Sequence, residues 1–182
     1  MMLGVLPILL LFVVGFTQFH APQPKAEPAQ PKNEIKWLTI EEAEKLSRQD
    51  GKKILIDIYT EWCGWCKRMD KATYENPKVV EYIQQHYHAV KLDAEQNNEI
   101  RFNGQTYKMQ EGQQFNDLSI NLLGGKMVFP VTVFLQNDMK GLFKLEGYQK
   151  PTEFYPIIEY LDKELFKKGV DFNEYVKNNP LK

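Results

Sequence analysis

The sequence predicts an α/β fold: a central mixed sheet flanked by helices, with a β-hairpin insertion and a C-terminal helical extension. An Ile-rich run at residues 53–59, with Asp57 as its charged intruder, leads directly into Cys63-Gly64-Trp65-Cys66, a strand followed at once by a helix start. Further apolar runs at 89–93, 127–135 and 142–146 alternate with segments of helical spacing, as expected of strands covered by helices. Asn103-Gly104, set between alternating apolar residues, marks a hairpin.

The folded part starts near Ile35. Thr39 and Glu42 form a capping box, Ile40, Ala43 and Leu46 recur at helical spacing, and Gly51 supplies the stop. After the strand at 53–59, a helix opens at Cys63 or Gly64 and runs to about residue 72. Asn76-Pro77 restarts it, with Asn as cap and Pro at the first helical position, and carries it to His86. Residues 89–93 form the second strand and residues 100–109 the hairpin. A short helix at 115–123 closes on Gly124-Gly125, and a third main strand at 127–135 is interrupted by Pro130. A turn at 137–141 leads to the fourth strand, which ends at Gly147. Residues 152–168 read as one helix whose apolar face is Phe154, Ile157, Ile158, Leu161 and Leu165, with Pro156 in its first turn. A last helix at 172–177 has Asp171 as its cap.

The 182 residues, 43% hydrophobic and with a net charge of −1, suit one globular domain once the N-terminus is set aside. Basic residues are scattered, which excludes the charge footprint of a nucleic-acid partner. Residues 1–20 read as a signal peptide or an N-terminal membrane anchor. Their apolar stretch, 3–16, is long against an h-region of about 7 to 15 and short against a span of about 20. No Lys or Arg precedes it, and Gly15 and Thr17 match a cleavage site poorly; both readings stand. No cysteine follows it to carry a lipid. Residues 21–34, with four prolines, form a linker, 35–168 the domain, and 169–182 the C-terminal extension. The domain is therefore expected to be exported, periplasmic or membrane-anchored and facing outside the cytoplasm, although Lys25 and Lys32 pull mildly the other way.

The chain's two cysteines are those of the Cys63-Gly64-Trp65-Cys66 motif. Residues 54–67, Ile-Leu-Ile-Asp-Ile-Tyr-Thr-Glu-Trp-Cys-Gly-Trp-Cys-Lys, together with Phe129-Pro130-Val131-Thr132 and Gly147, resemble the active-site segment, cis-proline strand and closing glycine of thioredoxins. The resemblance covers residues 37–165 and implies the thioredoxin-like fold. Cys66-Lys67-Arg68-Met69-Asp70, Thr73 to Pro77 and Val90-Lys91-Leu92-Asp93 are similar to exported single-domain thioredoxin-like proteins and to the C-terminal domain of transmembrane thiol-reductant carriers.

Two intervening residues at a helix start let the sulfurs form a reversible disulfide, and the helix N-terminus favours the first as thiolate. Cys63 is thus the expected nucleophile and Cys66 the resolving thiol. A purely structural disulfide is the bland alternative, but so short a loop constrains little of the unfolded chain. Zinc would need two more ligands, and besides carboxylates the domain offers His86 and His88; haem attachment fails because Lys67 follows Cys66. No metal or cofactor is expected.

The resemblance implies that Asp57 is a buried carboxylate beneath the dithiol, able to accept the Cys66 proton, and that Lys91 pairs with it; the alternative is an outward-facing strand pair. It implies a cis Pro130 packing on the dithiol, with the backbone of Phe129 free to pair with substrate. Trp62, Trp65, Phe129 and Tyr148 would ring the site as a substrate-binding patch. Trp65 departs from the family, which has Pro there, so the family's potential does not transfer. With Gly64 kept and no His between the cysteines, a value in the reducing half of the about −270 to about −120 mV range is expected. The hairpin is a second departure, either a recognition element or an ornament.

The function expected is thiol-disulfide oxidoreduction, in the direction that reduces disulfides of exported proteins. The alternatives are a disulfide oxidase or isomerase, or a non-enzymatic binding module using the aromatic face. The expected partners are disulfide-bearing proteins and an upstream thiol donor, with membrane tethering if the anchor is kept, and the chain is expected to be a monomer.

Overall fold

The computed structural model describes residues 34–181; the expectations for residues 1–33 lie outside the described residues. Chain order is α1 (Ile40–Asp50), β1 (Lys53–Tyr59), α2 (Gly64–Met69), a π-helical turn (Asp70–Tyr74), α3 (Pro77–His86), β2 (Tyr87–Asp93) and the hairpin β3 (Ile100–Phe102) and β4 (Gln105–Tyr107). It continues with α4 (Asp117–Leu123), β5 (Val131–Leu135), β6 (Gly141–Glu146), α5 (Pro151–Asp162), a 3-10 turn (Leu165–Lys168) and α6 (Phe172–Asn178).

The main sheet has the order β2-β1-β5-β6, with β1 and β2 parallel and the other two pairs antiparallel. Strand β1 is central, and its side chains are buried on both faces. Leu55, Ala89 and Phe134 meet α3 and α5 in one core. Ile54, Ile56, Ile58, Val131 and Val133 meet α1, α4 and the hairpin in the other.

Local signals explain most boundaries. The capping box closes with Thr39 and Glu42 exchanging bonds of 3.0 and 3.2 Å, and Gly51, at φ +79°, ends α1. The hairpin turns on Asn103 and Gly104, both at positive φ, and its backbone amides at Arg101 and Asn103 donate to Glu41 and Glu44 of α1 at 3.0 and 2.8 Å.

Five boundaries differ from expectation. The helix from Cys63 stops being α-helical at Met69 and widens into the π turn, where Glu75 N–H donates to Asp70 C=O, five residues back, at 3.1 Å. Strand β2 begins at Tyr87, whose hydroxyl reaches Ile158 C=O at 2.6 Å. Helix α4 begins at Asp117 because Asn116 is its cap. Residues 127–130 are not strand: the ladder to β1 starts at Val131, after the cis Phe129–Pro130 peptide.

The long final helix is instead two pieces. Glu164, at φ +50°, breaks it, and Lys53 Nζ donates to the terminal Asp162 C=O at 3.1 Å. The chain then folds back so that Phe172 and Tyr175 pack on Tyr160. Pro156 lies six residues into α5, beyond its first turn; Thr152 C=O, which Pro156 has no N–H to serve, accepts from Leu181 N–H at 3.5 Å.

Candidate active site

Strand β1 ends at Tyr59, and a tight turn, in which Cys63 N–H donates to Thr60 C=O at 3.1 Å, delivers Cys63 to the start of α2. Cys63 is the N-cap, and its Sγ accepts from Cys66 N–H at 3.1 Å. The two cysteines are joined as a disulfide, with Cα atoms 5.3 Å apart. Unsatisfied amides and the helix dipole concentrate positive potential at this end of α2, which stabilises a thiolate at Cys63 once the bond is reduced. Cys66 lies one turn further in and is buried.

Two aromatic groups adjoin the dithiol. Trp62 meets Phe129 edge-to-face at 5.9 Å, and Phe129 in turn meets Phe115 at 5.7 Å. Trp65 packs on Tyr148 at 5.5 Å, and the Arg68 guanidinium lies over both rings. Trp62 and Trp65 are 61% and 55% exposed, an unusual state for large rings and one that leaves them available as a contact surface. The cis Phe129–Pro130 peptide is followed by Pro130 C=O, which accepts from Gly147 N–H at 2.8 Å and so ties β5 to the end of β6. Phe129 itself lies just outside the first ladder pair, Ile58 with Val131.

Behind the dithiol strand lies a buried polar group. In register, Asp57 stands opposite Lys91 on β2 and Thr132 on β5. Asp57 is 1% exposed; its Oδ2 accepts from Lys91 Nζ at 3.1 Å, while Oδ1 is buried without a hydrogen bond. Tyr74 and Thr132 share a hydroxyl hydrogen bond of 2.9 Å on the same side. Burial pushes the Asp57 carboxyl up to about 6; Lys91 opposes the rise and the charge of Asp70 adds to it. Burial works against the Lys91 charge, but Asp57 and Asp70 outweigh it and hold the ammonium above its usual value.

All nine residues singled out from the sequence are thus placed: Cys63 and Cys66 are bonded, Asp57 and Lys91 are paired, and Trp62 with Phe129 and Trp65 with Tyr148 are in ring contact, with Pro130 cis. Three further residues join the site that the sequence reading does not assign to it. Asp70 also binds Lys91; its spacing, four residues after Cys66, puts it one turn along the same helix side and was a usable signal. Glu95 accepts from Trp62 Nε1 at 3.0 Å and from Gln114 Nε2 at 2.8 Å. Arg68 stacks on Trp65 three residues before it on the same helix face.

Residues 40–162 match the family model of the thioredoxin-like domain. The chain belongs to the thioredoxin-like family. Among curated proteins, it is 26% identical over 131 residues to the thiol:disulfide interchange protein DsbD of Campylobacter jejuni, covering 70% of this chain and 20% of that protein. It is 29% identical over 85 residues to the DsbD of Haemophilus ducreyi, covering 42% of this chain and 15% of that one. The chain therefore spans a fifth or less of the length of these relatives. Among solved structures, a DsbH oxidoreductase superposes with a TM-score of 0.54 at 20% identity, covering 78% of this chain and 94% of the other. A thioredoxin-fold protein from Helicobacter pylori superposes at 0.56 and 16%, covering 71% and 85%. With the Cys63–Cys66 pair in place at α2, this thioredoxin-like domain is a thiol-disulfide oxidoreductase domain.

Proposed function

We propose that the protein reduces disulfides in proteins outside the cytoplasm, with Cys63 as nucleophile and Cys66 as resolving thiol. The observation that carries this reading is the disulfide at the N-terminus of α2, with Cys63 as the cap and Cys66 one turn further in, both buried. The Cys63 thiolate attacks a substrate disulfide; a Cys63–substrate S–S bond forms and one substrate sulfur leaves as thiolate. Cys66 gives its proton to Asp57 and attacks Cys63 Sγ, so the intramolecular disulfide forms and the second substrate sulfur leaves. Two electrons pass to the substrate, and the bonded pair seen here is the spent form. An upstream thiol donor must then reduce it.

Trp62, Trp65, Phe129 and Tyr148 serve as the surface on which an extended substrate segment lies, and the Phe129 backbone beside Pro130 pairs with it. Placement outside the cytoplasm is supported by the apolar residues 3–16 and the Pro-rich stretch that follows them. Among the described residues, no helix is long and apolar enough to cross a membrane.

The test is the midpoint potential against glutathione, combined with dithiothreitol-driven insulin reduction. A reductase has a potential in the reducing half of the family range and loses turnover in Cys63→Ser. A value above about −150 mV makes the protein an oxidase instead.

A further inference from the structure

Lys91 serves two carboxylates at once. Its Nζ binds Asp57 Oδ2 at 3.1 Å and also Asp70 Oδ1. The two acids differ in setting: the Asp57 side chain is 2% exposed and that of Asp70 35%. Three rings bound the ammonium, Tyr59 at 5.0 Å, Trp37 at 5.1 Å and Tyr74 at 5.9 Å, which limits how far it can swing. Asp70 stands at the junction of α2 and the π turn, its own N–H donating to Cys66 C=O and Lys67 C=O. A cleft of about 300 Å³, lined by Glu34, Trp37, Asp70, Tyr74, Glu75 and Lys91, opens this end of the pair to solvent. The buried acid therefore competes for its cation with a second acid at the surface.

We propose that Asp70 is a positioning residue for the redox reaction: by holding part of the Lys91 ammonium's charge, it keeps Asp57 basic enough to take the proton of Cys66. The inference rests on the reading of Asp57 as proton acceptor given above. When Cys66 attacks Cys63 Sγ, the Cys63–Cys66 bond forms, the bond to substrate breaks, and the Cys66 proton goes to Asp57. A carboxylate that Lys91 neutralises fully is a weaker base. Asp70 draws the ammonium outward and adds its own negative charge, and both effects raise the proton affinity of Asp57. The groups facing Asp57 are Tyr59 from its own strand β1, Lys91 from β2, Thr132 from β5 and Tyr74 with Asp70 from the π turn; Glu34 and Glu75 stand at the cleft, and all but Asp70 and Asp57 are unchanged in the variants below.

The experiment is the pH dependence of mixed-disulfide resolution, followed by stopped flow with a disulfide-bonded model peptide. Carboxyl ¹³C titration of Asp57 in the oxidised protein gives a readout independent of turnover. In Asp70→Asn, both midpoints fall by roughly half a pH unit or more; in Asp70→Glu they stay at the wild-type value. In Asp57→Asn the limb is missing, and adding Asp70→Asn changes nothing further. Should Asp70→Asn not fold, Asp70→Ser carries the same expectation. Unmoved midpoints in the Asn or Ser variant, or a shift that persists without Asp57, overturn the proposal. Wild-type protein that fails to reduce the peptide at any pH defeats the underlying functional reading instead, while the ¹³C midpoints still decide the role of Asp70.

Discussion

Asp57 and Lys91 stand at the same level of two neighbouring parallel strands and meet at 3.1 Å, the carboxylate sealed in the core and the ammonium reaching toward solvent. The pair links the strand that carries the dithiol to the sheet edge. It also makes stability depend on pH.

The Asp57 carboxyl is raised from 3.8 to about 6. Below pH 4 both folded and unfolded chains hold the proton. Between about 4 and 6 the folded chain still holds it while the unfolded chain has lost it, so stability falls as pH rises through this window. The full loss is about 3 kcal/mol at the top of the window. Asp57→Asn avoids it: thermal melting should show the variant more stable than wild type at pH 8 and equal to it near pH 4, with redox turnover reduced. A variant less stable at pH 8 would show that the Lys91 pairing outweighs burial.

Cys66→Ser should accumulate a stable mixed disulfide with a protein substrate, visible as a dithiothreitol-sensitive shift on non-reducing gels. Cys63→Ser should accumulate none. Equal trapping by both variants would contradict the assignment of Cys63 as nucleophile.

Glu95 fixes Trp62 through its indole N–H and is itself held by Gln114. Glu95→Ala should leave a small disulfide, such as oxidised glutathione, reacting at the wild-type rate. It should raise KM for a protein disulfide several-fold, because a hydrogen bond to a charged group is worth about 1.5–3 kcal/mol before exposure weakens it. Steady-state kinetics on the two substrates check this. Equal effects on both would mean that the residue acts on the dithiol rather than on the contact surface.

Gly104 sits at φ +75° with open space around its Cα. Gly104→Val should cost about 1–2 kcal/mol in urea unfolding, purely from backbone strain. Reduction of oxidised glutathione by the folded protein should be unchanged. A loss of that activity would tie the hairpin directly to the dithiol.

The elements with strong local chemistry were legible: the Ile-rich β1, the Asn76-Pro77 restart, the Asn103-Gly104 hairpin and the capping box at Thr39 each follow from neighbouring residues alone. What was not legible depends on distant partners. The break at Glu164 is stabilised by Lys53, more than a hundred residues earlier, and by α6 folding back on Tyr160. The spacing of Asp70 from Cys66 places it one turn along the helix, but nothing local tells that Lys91, on another strand, meets it there; the π turn that follows has no compositional signature. In the same way, Glu95 meets Trp62 only because the chain after β2 returns to the end of β1, where Ala94 N–H donates to Tyr59 C=O at 2.9 Å. Asp57 and Lys91 were flagged by family pattern, and their register across β1 and β2 is what brings them together.

The segment between β2 and α4 is fastened at both ends. Its hairpin amides are clamped by Glu41 and Glu44 on α1, while Gln114 and Phe115 brace Trp62 and Phe129 through Glu95 and ring contact. It works as a strut between the back of the molecule and the rim of the dithiol. On the proposed reading, in which this rim receives the substrate segment, substitutions in residues 95–116 reshape the rim while the sheet and the sulfur chemistry stay as they are.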